Sequence, residues 1–152
     1  MVMRKILLLS VLVVAASLTL RARPVEADPQ VVHVYKSATC GCCQKWVDHV
    51  RSRGYTVTVE NLTDVAPVKR NLGVPSGAQS CHTAVVASYF IEGHVPAEDI
   101  ARLLAEHPNI AGLAVPGMPI GSPGMEGPDA RPYSVLAVHK DGKVDVFADH
   151  RP

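Results

Sequence analysis

A chain of 152 residues has room for one domain, and 15 Lys and Arg against 14 Asp and Glu leave no charge excess. No basic stretch could follow a phosphate backbone, so nucleic acid is excluded as a partner. The charge is unevenly placed: the first 27 residues hold four of the cations and one of the acids, and residues 28–152 carry a net charge of −2.

Arg4 and Lys5 precede an apolar run from Ile6 to Leu20, ILLLSVLVVAASLTL. That run is shorter than the ~20 residues a membrane helix needs. Val25 and Ala27 then stand at −3 and −1 of a small-residue cleavage pattern, VEA before Asp28. The layout predicts a secretory signal peptide over 1–27 and a single exported domain over 28–152, with no stable membrane span after cleavage. An uncleaved anchor, helped by Arg21 and Arg23, is the competing reading; the short run and the VEA pattern favour cleavage.

VVHVYK (31–36) is short and β-branched and reads as a strand. A loop leads to a helix over Cys42–Arg53, which Gly54 stops. YTVTVE (55–60) is a second strand. Asp64 can cap a short helix running through Leu72, with Pro67 in its first turn, where a missing N–H does no harm. Thr83–Ala87 and Tyr89–Ile91 read as two tightly joined strands followed by a turn at Glu92-Gly93. Pro96 opens a helix, PAEDIARLLAE, with two acids in its first turn and Ile100, Leu103 and Leu104 on one face. His107-Pro108 closes it. Tyr133–His139 and Lys143–Phe147 flank Asp141-Gly142, a strong hairpin signal.

The order β-α-β-α-β-β-α, with cysteines at the start of the first helix, is the thioredoxin or glutaredoxin plan. The fold class is therefore read as α/β, thioredoxin-like, with a C-terminal β-hairpin. Between the last helix and the hairpin lies VPGMPIGSPGMEGP (115–128), with four glycines, four prolines, and Met118 and Met125 in an echoed PGM. Long irregular loops inside compact domains are usually functional, and proline stiffens this one, so it is expected to form a shaped flap.

Three of the four cysteines fall in TCGCCQKW (39–46), at positions 40, 42 and 43. At a strand-to-helix junction the unpaired N–H groups and the positive end of the dipole stabilise thiolates. Cys40 and Cys43 share a helix face, so they can close a redox disulfide or grip one ion. Cys43 continues into Val47 and Val50 and should be the more buried thiol. Cys42 lies about 100° round the helix, in line with Trp46 and His49. Adjacent cysteines converge poorly on one ion but can ligate neighbouring ions with shared sulfurs, which suits a multinuclear thiolate cluster. Zinc prefers separated C-x₂₋₄-C pairs, of which there is one here. An iron–sulfur cluster would have to reach an exported chain outside the cytosol. Soft monovalent copper is the best match to thiolate and thioether donors.

Cys81, in SCHT just before the third strand, faces the C-x-x-C in a thioredoxin plan and could complete the sulfur set, with His82 beside it. The competing reading is a small buried hydrophobe, and the neighbours of Cys81 favour the ligand. Met118 and Met125 offer soft donors where no core face calls for them, and His94 in EGHVP borders the expected cleft. His33, His49, His139 and His150 are left to structural or surface roles, and Trp46 to packing.

The runs VYKSATCGCCQKWVDHV, GVPSGAQSCHTAVV, YFIEGHVPAEDI and GLAVPGMPIGSPGMEG resemble the CGCC-motif proteins of the family known as domain of unknown function 411, which includes the CopG-type periplasmic copper-resistance proteins. The similarity spans about Val31 to Phe147. It implies a thioredoxin-like fold, a periplasmic location, and copper held as a thiolate cluster by Cys40, Cys42, Cys43 and Cys81, with His94, Met118 and Met125 as accessory donors. Copper ions are the implied ligand, and other periplasmic copper-handling proteins the implied partners. On this reading the protein binds Cu(I) for copper resistance, and the Cys40/Cys43 dithiol can interconvert Cu(I) and Cu(II). The alternatives are a thiol–disulfide oxidoreductase acting on exported proteins and an inert disulfide-bonded domain.

Overall fold

The computed structural model describes residues 31–151, so the expected signal segment and its cleavage site lie outside the described residues. β1 (Val31–Lys36) leads through a short turn into α1 (Gly41–Ser52) and then β2 (Thr56–Asn61). α2 (Ala66–Asn71) and a 3₁₀ turn at Ser76–Ala78 precede the pair β3 (Thr83–Val86) and β4 (Tyr89–Glu92). α3 (Ala97–Glu106), β5 (Gly112–Ala114), β6 (Tyr133–Val138) and β7 (Val144–His150) complete the chain. Among the described residues seven strands form one mixed sheet in the order β2-β1-β3-β4-β5-β6-β7. β1 pairs parallel with β2 and antiparallel with β3, with Val34 opposite Val59 and Ala84.

Alternation in β1 puts Val32 and Val34 into the core and leaves His33 exposed. In α1 the buried residues are Cys43, Trp46, Val47 and Val50, spaced at helical intervals, as the apolar stripe predicts. Trp46 anchors the helix: it is fully buried, and its indole N–H donates to the Val95 carbonyl at 2.8 Å. α3 turns Ile100 and Leu103 onto the sheet, carries Glu98 and Asp99 in its first turn, and ends at His107 in a left-handed conformation. α2 starts at Ala66, whose N–H is accepted by the Asp64 carboxylate at 2.9 Å. The core therefore sits between the sheet and the helices, with Val32, Val34, Val86, Ile91 and Leu113 meeting Trp46, Val50, Ile100 and Leu103.

The terminal hairpin is no separate appendage. β5 pairs parallel with β4 and antiparallel with β6, so it joins the hairpin to the main sheet. Sequence patterning gives no hint of β5, because GLA is too short to show alternation and begins with glycine. Gly112 is needed there: a Cβ would overlap the carbonyl and ring of Phe90 on β4. Glu92, expected in a turn, is the last residue of β4, and the turn itself falls at Gly93. Among the described residues no helix is long and apolar enough to cross a membrane.

Candidate metal centre

β1 delivers the chain to Cys40, which serves as the N-cap of α1 with extended backbone. Cys42 and Cys43 occupy the first turn, and Cys43 is fully buried, as its stripe predicts. Cys40 and Cys43 are joined by a disulfide, with Cα atoms 5.3 Å apart. Cys42 is free and half-buried, and its sulfur lies 3.5 Å from that of Cys40. Cys81, also free, approaches from the segment that enters β3. The sulfurs of Cys40, Cys42, Cys43 and Cys81 all lie within 4.8 Å of one another. The two distant cysteine segments thus meet in one place.

Two histidines extend the sulfur set. Cys81 Sγ lies 3.1 Å from His94 Nε2 and 3.4 Å from His82 Nδ1. These three residues also have ligand atoms within 4.8 Å of one another. The Pro123 carbonyl, which can only accept, lies 2.8 Å from His94 Nδ1. Nδ1 therefore carries the hydrogen, and Nε2 presents a lone pair to Cys81. Metal-binding histidines are commonly fixed by this kind of second contact. His82 is fully buried, its ring centroid 4.4 Å from that of Trp46, and its Nε2 has no hydrogen-bond partner.

Burial governs the electrostatics. It pushes the Cys81 thiol up to about 11, with the nearby charge of Cys42 acting the same way. Burial also lowers His94, and lowers His82 well below the ordinary imidazole value, helped by His94 when it is protonated and by the positive charges of Lys69 and Lys36. Both imidazoles are neutral near pH 7 and available as lone-pair donors.

The strand entrance is braced from beneath. Glu92 and Lys69, both buried, form an ion pair at 2.5 Å. Glu92 also accepts the Thr83 hydroxyl and the Ser80 N–H, each at 2.6 Å. Burial pushes the Glu92 carboxyl up, against the pull of Lys69, Thr83 and Ser80. These contacts fix the backbone on both sides of Cys81 and His82.

The flap over 115–128 is shaped, as its prolines predict. Gly121 N–H donates to Met125 carbonyl at 2.9 Å, and Met125 N–H to Ser122 carbonyl at 2.8 Å. Gly117 N–H donates to the Gln79 carbonyl at 3.1 Å, and the Ser80 hydroxyl donates to the Gly117 carbonyl. Gly124 lies on the first turns of α1, where a Cβ would stand 2.8 Å from both Cys42 O and Trp46 N. Met125 lines a cleft of about 430 Å³ together with Cys42, Lys45 and Ile120. Met118 is 51% exposed, so the flap presents its thioether to solvent.

The structure thus brings Cys40, Cys42, Cys43, Cys81 and His94 together, places Met125 beside Cys42, and leaves Met118 outside the group. Sequence reasoning named His82 only as a neighbour of Cys81; the SCHT motif fixes its adjacency but not its burial. Lys69 and Glu92 gave no signal at all, since each looks like an ordinary surface charge. Four other histidines pair elsewhere: His33 Nδ1 lies 2.6 Å from the Thr58 hydroxyl, His49 Nε2 accepts the Ala97 N–H at the start of α3, His139 meets Asp145, and His150 meets Asp99.

Residues 78–125, which hold Cys81, His94 and both flap methionines, match the family model described as protein of unknown function, DUF411. Two solved structures of a copper resistance protein, CopG, in its Form 1 and Form 2, superpose on this chain with a TM-score of 0.77 at 43% identity. Each match covers 82% of this chain and 100% of the other. No curated protein sequence matches this one.

Proposed function

This chain belongs to the CopG-type DUF411 family, and from that premise we propose that it is a periplasmic copper-resistance protein holding Cu(I) in a shared thiolate cluster. The observation that carries this reading is the convergence of four cysteine sulfurs within 4.8 Å of one another. Sulfurs so close can bridge neighbouring cuprous ions; thiolates are the soft donors that monovalent copper takes, and imidazole also suits copper. Cys40, Cys42, Cys43 and Cys81 are the proposed thiolate ligands, His94 a nitrogen ligand, and Met125 and Met118 donors on the approach to them. A thioredoxin-like plan is supported by the parallel β1–α1–β2 unit, antiparallel β3 and β4, and the cysteine pair at the start of α1.

In the oxidised form Cys40 and Cys43 are joined, as here. Opening that bond takes two electrons and two protons and frees two thiols for cuprous ions. In the reverse direction the dithiol reduces two cupric ions to two cuprous ions while the disulfide closes and two protons leave. Other copper-handling proteins of the periplasm are the partners that would deliver or accept the ions. Loading the thiol-reduced protein anaerobically with cuprous ion tests the cluster. More than one copper per chain, with a sulfur-dominated X-ray absorption shell, is expected; one or fewer refutes it.

The disulfide at the start of α1 also favours a second reading, a thiol–disulfide oxidoreductase acting on exported proteins. A third thiol 3.5 Å from Cys40 invites mispairing and weighs against it. Insulin reduction at a rate comparable with that of a thioredoxin would establish this second reading instead.

A further inference from the structure

With Cys40 and Cys43 joined, two thiols remain, Cys42 and Cys81, and their sulfurs stand within 4.8 Å of each other. The dithiol chemistry of Cys40 and Cys43 makes no use of either. We infer that Cys42 and Cys81 are a second redox pair, which closes a disulfide between α1 and the entrance of β3, so that the fully reduced chain yields four electrons. The identity of the electron acceptor rests on the copper reading above; the bond itself does not.

The placement favours this pairing. Cys40, whose sulfur stands 3.5 Å from that of Cys42, is already engaged with Cys43. Cys42 is half-buried on the first turn of α1, outside the stripe that locks Cys43 into the core. Cys81 lies two residues before the first ladder residue of β3, and its backbone is held by the Ser80 N–H bond to Glu92 and the Gly93 N–H bond to the His82 carbonyl, so closure falls to the side chains. Closing the bond brings the two sulfurs from within 4.8 Å to the ~2.05 Å of a disulfide.

The step balances. Two S–H bonds break, one S–S bond forms, two protons leave to solvent, and two electrons pass to two cupric ions, giving two cuprous ions. Together with the Cys40/Cys43 step, a fully reduced chain converts four cupric ions.

The test starts from fully reduced, metal-free protein, titrated anaerobically with cupric ion in the presence of a chelator specific for cuprous ion. Four cuprous ions per chain are expected, with free thiols falling from four to none, the tryptic peptide 37–45 linked to the peptide carrying Cys81, and fragmentation of the linked pair placing the bond at Cys42 and not at Cys40 or Cys43. Two cuprous ions per chain, with two thiols still open to alkylation, would overturn the pair. A copper-free arm uses diamide as the oxidant. Linkage with diamide but no cuprous product would leave the pair standing and overturn the interconversion of Cu(II) and Cu(I) in the copper reading; no linkage with either oxidant overturns the pair. The double variant Cys40→Ser, Cys43→Ala retains only Cys42 and Cys81, and diamide should take its thiol count from two to none within a monomer. Two persistent thiols in the folded variant would refute the proposal.

Discussion

The Nε2 of His94 lies 3.1 Å from the sulfur of Cys81, while its Nδ1–H is held by the Pro123 carbonyl at 2.8 Å. One ring therefore joins the sulfur group to the flap, with its lone pair already aimed. His94→Ala removes that donor and the flap contact together. Cuprous affinity is expected to fall at least about tenfold, on the scale seen when a histidine-supporting contact is lost. Competition against a cuprous chelator measures it, and loss of the nitrogen component in X-ray absorption separates a missing ligand from mere loosening. Unchanged affinity would reduce His94 to a packing role.

Gly124 is the point where the flap touches α1. Its φ is +84°, and a Cβ there would stand 2.8 Å from the Cys42 carbonyl oxygen and from the Trp46 nitrogen, which leaves no room for a side chain. The opposing atoms are backbone and cannot swing away. Gly124→Ala is expected to cost about 1 kcal/mol or more and to lift the flap from Cys42. A lower urea midpoint and faster alkylation of Cys42 by iodoacetamide are the paired readouts.

The contrast between Gly124 and Cys43 marks how far the sequence could be read. The burial of Cys43 follows from its place ahead of Val47 and Val50, because helical period alone decides it. β1, α1, β2, α3 and the Asp141-Gly142 hairpin were legible for the same reason, since each has a local pattern and a local stop signal. Long-range facts had no such signal. β5 exists because β4 and β6 bracket it, not because GLA prefers a strand. The meeting of Cys81 with the CGCC segment could be expected only through a fold plan and a family resemblance. The partnership of Lys69 with Glu92, 23 residues apart, could not be expected at all.

That ion pair makes a sharp prediction. Lys69 and Glu92 are almost wholly removed from water, so deleting one partner leaves the other charge uncompensated. Lys69→Met is expected to lower stability by ~3–5 kcal/mol. Adding Glu92→Gln should recover part of the loss, because the amide is neutral and keeps an oxygen for the Ser80 N–H. Urea denaturation of the two variants, alone and combined, tests the coupling. Additive losses would mean the pair does not act as a unit.

Acid should destabilise the metal-free protein through His82. Its folded-state pKa lies well below the ordinary 6.5, first because it is fully buried and then because His94, Lys69 and Lys36 add positive charge nearby. In the unfolded chain the imidazole titrates near its ordinary value, so between the two pKa values the unfolded state binds the extra proton. Stability is then complete above about pH 6.5 and falls as pH drops below it, by up to about 1.4 kcal/mol per pH unit for this one group. His49 and His94 shift in the same direction and add to the slope, whereas Glu92 shifts the opposite way. The variant His82→Phe isolates the effect: it keeps an aromatic ring against Trp46 and removes the titrating nitrogens. Between pH 7 and pH 5.5 its stability should decline less steeply than that of the parent. Parallel pH profiles would show that His82 is not the group that takes up the proton on unfolding.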